Sequence, residues 1–439
     1  MKFTKEAVMA MFACIASGAA TAAPGYRVWV DGRPVEVLEI PAPSMHHRQL
    51  PEDAERPYAA ALFDAAGEVS VRVESDADLS ATRILPLARG VVPQFDGPHA
   101  LTFKATPPFT LSVEPEPRHG ALIVSGRTPD PDPPREGDPG VTWIGPGRHH
   151  FDEPIELHSG ETLYLATGAF VEGAVRGVGT NITVRGHGVL SGLCWPHWEG
   201  PAGHLLHFEG ADIALRDFTV MGGWNWTLVL NNVDNASIDG VNILNGHVLN
   251  DDGIDVCRSR NVTIRNCFIR TQDDCIAAKF WCEGLTVENC ALWTDVANIF
   301  RIGVECDEPP RRIAGISVRD VSILHQSVLK PGRLQNAVNI MASNGEMFED
   351  FLFDGLRFDT PEAGDNLASV RTLVWRGKVY VHEQAGHVRN VTFRNVALPA
   401  DAPPDANSVI FVKSHDTEHT VGNVVNECDD PRIRMEREP

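Results

Sequence analysis

From residue 141 onward one short phrase keeps returning: a polar residue or Gly, an aliphatic, a small residue, an aliphatic or Phe, a polar residue, then Asn, Asp or Gly. It reads NITVRG at 181, DIALRD at 212, NASIDG at 235, NVTIRN at 261, GLTVEN at 284, GISVRD at 315, DFLFDG at 350 and NVTFRN at 390. The starts lie 31, 23, 26, 23, 31, 35 and 40 residues apart. A repeat of variable length above a minimum near 23, with two inward aliphatics separated by one residue, suits a parallel β-helix. Helical or leucine-rich repeats would need a 3.6 period or LxxLxL spacing, and neither is present. The stack is expected to begin with ETLYLATGAFVEGAV from residue 161, and the longer intervals to hold corner loops that build a binding face.

The chain before this region has a different character. Residues 23–127 hold short alternating segments (YRVWVDG, EVSVRVES, ALTFKA, FTLSVEPEP) broken by Pro, Gly and Asp, the pattern of a small antiparallel β-sandwich with one wet face. TPDPDPPREGDPG at 128–140 follows as a linker or an inter-domain strap, because its prolines lack backbone donors and its charges resist burial. The fold class expected is therefore all-β: the sandwich, then the solenoid over 141–439. Residues 1–22 read as a cleaved signal peptide, with Lys2 and Lys5 ahead of an apolar run and Ala20-Thr21-Ala22 as the cleavage site, which predicts a secreted or periplasmic protein. No later apolar stretch is long enough to span a bilayer.

A formal net charge of −21 argues against nucleic acid and anionic membranes as partners. Six of the nine cysteines fall between Cys257 and Cys306, without CxxC pairs or zinc-type Cys/His spacing, so no metal site and no cofactor are expected. Cys267 and Cys290 occupy the same place in successive phrases; stacking would bring them within disulfide reach or leave a reduced ladder.

Two acidic groups interrupt this scaffold: Asp251, Asp252 and Asp255, then Asp273 and Asp274. Asp252 and Asp273 are 21 residues apart, close to one minimal coil, and should be spatial neighbours. Adjacent Asp273 and Asp274 would point to opposite faces of a regular strand, so they need a corner or a bulge. Stacked carboxylates cost free energy unless solvated, paired, cation-bound or used in chemistry. Three that converge suit glycosidic hydrolysis: a protonated one gives its proton to the leaving oxygen, and ionised ones activate water on the opposite face of the sugar. Spacing does not say which holds the proton.

NDDGID (250–255), beginning at Asn250, and DDCIA (273–277) resemble the N-x-D-G-[IL]-[DE] and D-D-C-[IV]-A motifs of the polygalacturonase family, at that family's spacing. The resemblance runs over roughly residues 141 to 410. It implies a right-handed parallel β-helix that hydrolyses α-linked polysaccharide with inversion, Asp273 as the general acid, and Asp252 and Asp274 holding water. Asp251 and Asp255 have no counterpart role and read as turn or supporting carboxylates. Two motifs of that family are missing. Where G-H-G should stand the chain reads DVANIFRIGVE, with Asn298 near the histidine position, and the nearest equivalent of the basic R-I-K is VNIM at 338–341. These departures resemble the dextranase and isopullulanase family, which shares the aspartate triad and has a sandwich ahead of the helix. They favour a neutral or weakly charged α-glycan, polysaccharide or oligosaccharide, as the carbohydrate partner, although Arg301, Lys279 or His247 could meet a carboxylate by another route.

Further substrate contacts are expected from Trp224 in GGWNW (222–226), from Asn225, and from Asn298, with packing between loops as the alternative for the aromatic residues Trp195, Trp198, Trp281 and Trp293. Two other readings stand beside hydrolysis: a polysaccharide lyase using the aspartates for Ca²⁺, and a non-catalytic glycan-binding β-helix.

Overall fold

A computed structural model describes residues 25–41, 57–307, 309–326, 336–361, 366–377 and 381–438. The proposed signal peptide lies outside these residues, as do parts of the corner loops after residues 320 and 355. Among the described residues no helix is long and apolar enough to cross a membrane.

Two five-stranded sheets come first, and their strands alternate as the sequence does. Val69–Ser75 buries every second residue, and Val71, Val73, Leu101, Phe103, Leu111 and Val113 fill the space between the sheets. The outer sheet is antiparallel throughout, whereas the inner one pairs Leu122–Arg127 parallel to Tyr58–Asp64. This inner sheet departs from the expected wet face. All six residues of Leu122–Arg127 are buried, because Ile40, Tyr58, Ala60, Leu85 and Ile123 pack on Val189, Met221, Leu244, Phe268, Trp293 and Leu324 of the following domain. Residues 128–140 form the strap, fastened by Arg185, whose guanidinium donates to Asp130 Oδ2 at 2.9 Å and to the Asp132 carbonyl at 2.8 Å.

The rest is a right-handed parallel β-helix whose strands, 24 among the described residues, from Val141–Ile144 to Arg434–Glu438, pair in parallel with their counterparts one coil on. The repeated phrase has a direct physical cause. Its first residue has positive φ in each coil (Asn181, Asp212, Asn235, Asn261, Gly284, Gly315, Asp350, Asn390), and so does the residue five later (Gly186, Asp217, Gly240, Asn266, Asn289, Asp320, Gly355, Asn395). Gly, Asn and Asp enter that left-handed region at least cost, so each phrase is a short strand held between two corners. The corner side chains bond from coil to coil: Asn289 Nδ2 donates to Asn266 Oδ1 at 2.7 Å, and Asn266 Nδ2 to Asp239 Oδ1 at 2.7 Å. The inward aliphatics stack in register, Ile213 on Ala236, Val262, Leu285, Ile316 and Phe351 in turn. Cys267 and Cys290 stack likewise as buried free thiols, the reduced ladder rather than a disulfide.

The sandwich is also tied to the solenoid by a buried ion pair, His325 Nε2 to Glu114 Oε2 at 2.7 Å, with both side chains essentially inaccessible. Burial pushes the Glu114 carboxyl up, but His325, Ser112 and a backbone donor more than offset it, leaving it below its ordinary value of 4.5. Stabilisation from this carboxylate is therefore present above pH 4.5 and lost as pH falls through its lowered folded value. Removing one partner of a buried pair strands the other charge, so His325→Leu should cost about 3–5 kcal/mol. Thermal melting checks this, and the wild type should lose part of its advantage over Glu114→Gln below that pH.

Candidate active site

Asp251 and Asp252 precede the strand Ile254–Arg265; Asp273 and Asp274 sit one coil later, in the corner between Phe268–Thr271 and Ile276–Glu288. The corner resolves the problem of adjacent aspartates, since neither needs to enter the apolar interior. Gly253 makes the approach of the two coils possible: a Cβ there would stand 2.5 Å from the Cys275 carbonyl oxygen and 2.7 Å from Ile269 Cγ2. One carboxylate oxygen each from Asp252, Asp273 and Asp274 then lies within 4.8 Å of the others.

The acidic residues have unequal surroundings. Asp251 is fully buried and accepts backbone N–H bonds from Gly246 (2.7 Å), Gln272 (2.7 Å) and Asp273 (3.1 Å), so it fixes the second corner against the first. Asp255 is also fully buried and ion-pairs with Lys279 Nζ at 2.7 Å. Lys279 donates at 2.8 Å to Asp252 Oδ2, and its Nζ lies 3.5 Å from the ring centre of Trp226. Burial pushes the Asp252 carboxyl up and Lys279 pulls it back, for a value of about 6; its Oδ1 is buried without a protein partner among the described residues. Asp273 is only partly buried as a residue, accepting Asn250 Nδ2 at 3.4 Å. Burial of its carboxyl, then the charges of Asp252 and Asp274, push it well above the usual carboxylate range. Asp274 Oδ1 accepts both the backbone N–H of Asn298 at 3.0 Å and its Nδ2 at 2.6 Å.

The structure revises several expected substrate contacts. Asn298 is buried, and its side-chain Oδ1 accepts from Asn336 N (2.9 Å) and Asn339 Nδ2 (3.1 Å), so it positions Asp274 instead of reaching a sugar. Trp224 is 1% exposed: it packs edge-on against Trp195 at 5.2 Å and gives its indole N–H to the Ala202 carbonyl. Lys279 is enclosed by two carboxylates and an aromatic ring, so it is not free to meet a substrate carboxylate. His247 is buried, which pushes its imidazole down to about 4, and Asn225 spends its Nδ2 on the Gly203 carbonyl at 3.0 Å. Trp293 belongs to the apolar contact with the sandwich. Asn250 remains at the carboxylates, and Arg301 stays partly exposed on the outward row beside Ala277, donating to the Gly303 carbonyl at 3.4 Å.

The residue that the sequence reading passed over is Trp226. It is partly exposed, touches Lys279, and stacks on His204 with ring centres 5.7 Å apart. Both tryptophans of GGWNW lie outside any strand, so no alternation separates the buried one from the exposed one.

These coils are where similarity to known proteins concentrates. Residues 206–296 match the glycosyl hydrolases family 28. The chain is 23% identical to an isopullulanase of Aspergillus niger over 300 residues, 60% of this chain and 51% of that protein. It is 22% identical to a probable rhamnogalacturonase B of Aspergillus terreus over 204 residues, 42% of this chain and 36% of that protein. The matched region thus spans about half, or less, of these curated relatives. Among solved structures, Dex49A from Penicillium minioluteum superposes over 93% of this chain and 94% of its own, with a TM-score of 0.58 at 13% identity, a likeness of fold. The chain is thus similar to glycosyl hydrolases family 28 over the coils that carry the aspartates, and its fold is like that of Dex49A.

Lys279 is the buried cation that pairs with Asp252 and Asp255 and pulls back carboxyls that burial pushes up. Lys279→Met should therefore lower stability by about 3–5 kcal/mol near pH 8. Without the ammonium both carboxyls titrate higher still, so they take up protons as pH falls and the deficit should shrink below about pH 6. Melting temperatures of wild type and variant at pH 5 and pH 8 measure this.

Proposed function

We propose that the chain is a glycoside hydrolase that cleaves α-glycosidic bonds in a polysaccharide or its oligosaccharides with inversion. The observation that carries this reading is the convergence of Asp252, Asp273 and Asp274 within 4.8 Å, with Asp252 paired to Lys279 and Asp273 pushed well above the usual carboxylate range. Asp273, whose carboxyl is pushed up by burial and by two neighbouring charges, keeps its proton and delivers it to the leaving oxygen. Asp252, held ionised by Lys279, and Asp274, held in place by Asn298, orient a water for attack at the anomeric carbon; Asp252 Oδ1 is the oxygen left for that water. Asn250 steadies Asp273, and Trp226 offers an aromatic face to a sugar ring. Hydrolysis is favoured over a Ca²⁺-dependent lyase because the Lys279 ammonium already occupies the interior side of the cluster. The absence of an R-I-K equivalent and the net charge favour a neutral or weakly charged glycan, with Arg301 the group to test for carboxylate recognition.

Catalysis requires Asp252 ionised and Asp273 protonated. Activity should rise with pH through about 6 and fall again as pH passes the raised value of Asp273, giving a bell. Asp273→Asn should lower kcat by about 10²–10⁴-fold, read as reducing-sugar release from dextran, pullulan, polygalacturonan and arabinan. Full activity in that variant would remove Asp273 from the acid role.

One observation favours a second stereochemical course. Carboxylate oxygens that all lie within 4.8 Å of one another are closer than the roughly 6.5–9.5 Å common for inverting carboxyl pairs and on the side of the roughly 5–5.5 Å of retaining ones. Proton NMR of the first-formed product decides: a β-anomer from an α-linked substrate is expected, and an α-anomer would establish double displacement.

A further inference from the structure

A second convergence of side chains lies on the first coils, away from the aspartate corners. His150 ends the strand Gly147–His150 and is in register with Glu172 at the end of Ala169–Glu172; Glu172 is in register with Ser191, and Cys194 follows three residues later. One donor atom of each of His150, Glu172 and Cys194 lies within 4.8 Å of the others. His150 Nδ1 is 3.0 Å from Glu172 Oε2, and its Nε2 is 3.1 Å from Asp152 Oδ1. Trp195 stacks on the imidazole at 5.5 Å with 21° between the planes, which fixes the ring's orientation.

We propose that His150 Nδ1, Glu172 Oε2 and Cys194 Sγ bind a zinc ion, with the fourth position left to water, and that this ion fastens the 192–205 segment to the first coils. A thiolate, an imidazole and a carboxylate form a donor set suited to Zn²⁺, whereas Ca²⁺ and Mg²⁺ take oxygen ligands. Bonds of about 2.0–2.3 Å in a tetrahedron place ligand atoms about 3.3–3.7 Å apart, just above the 3.0 Å from His150 Nδ1 to Glu172 Oε2 and inside the 4.8 Å within which all three donor atoms lie. Asp152, bonded to the ring nitrogen facing away from the metal, is the outer carboxylate that orients a zinc-binding histidine. The segment that would be fastened includes Trp195, which packs on Trp224, and Ala202, whose carbonyl accepts the Trp224 indole N–H.

Binding releases the proton of the Cys194 thiol, so affinity should increase with pH. The experiment uses the full chain, without an affinity tag, dialysed against a chelator and titrated with Co²⁺ as a spectroscopic stand-in. The expected result is one ion per chain, tetrahedral visible bands, a near-ultraviolet thiolate-to-cobalt charge-transfer band, and displacement by Zn²⁺. Cys194→Ser should abolish the charge-transfer band, and Asp152→Asn should keep it while weakening Zn²⁺ binding about 10–100-fold. Unchanged melting of the metal-free variants would show that these effects are not losses of fold. No charge-transfer band in the wild type, or the same band in Cys194→Ser through another thiol, would overturn the proposal.

Discussion

A lysine ammonium buried between two carboxylates is the interaction on which the site depends. Asp255 projects outward from the strand Ile254–Arg265, Asp252 from the loop just before it and Lys279 from the next strand, and the parallel register sets Cys257 opposite Lys279 so that its Nζ reaches both acids diagonally. Without that positive charge, two buried anions beside Asp273 and Asp274 would either take up protons or push the coils apart. With it, Asp252 is drawn back while Asp273 stays pushed well above the usual carboxylate range, the difference that the proposed acid–base chemistry needs. Trp226 covers the ammonium on its remaining side and keeps water from screening it.

The sandwich takes part in the same arrangement. Tyr58 Oη donates to the Asn245 carbonyl at 2.6 Å, and the Asn245 side chain donates to the Thr227 hydroxyl at 2.6 Å and the Asp251 carbonyl at 2.9 Å. Arg270 lies 3.8 Å from the Tyr58 ring centre and 3.9 Å from that of Trp293. A short path of buried contacts therefore links the inner sheet to the loop that carries Asp251 and Asp252. The first domain is a buttress for the coils that hold the carboxylates, which accounts for an inner sheet covered on both faces.

The solenoid was legible in the sequence because coil period and side-chain register are the same quantity: residues one period apart stack, and Asp252 is one period from Asp273. The phrase boundaries were legible too, since only a few residue types enter a left-handed corner cheaply. What escaped was set by contacts without a period. Trp224 and Trp226 differ in burial because of a segment some 22 residues earlier, and Asn298 turned towards Asp274 because Asn336 and Asn339 occupy its side-chain Oδ1. The unbroken apolar run Ala121–Val124 carried the signal of a doubly covered strand. His150, Glu172 and Cys194 lie on three successive passes of the chain, 22 residues apart each time, which is the spacing of a coil and not the short spacing of a metal motif.

The paired left-handed corners have a further consequence. Because each phrase is five residues from corner to corner, it acts as a gauge block: every coil returns to the same angular position however long its excursion on the other sides. Intervals as different as 23 and 40 residues therefore coexist in one stack without loss of alignment. Length is free outside the gauge and fixed within it. Such a chain can lengthen or exchange the loops on its other sides while the coils that carry the aspartates stay where they are, so what surrounds the carboxylates and what holds them are separable at the level of the backbone.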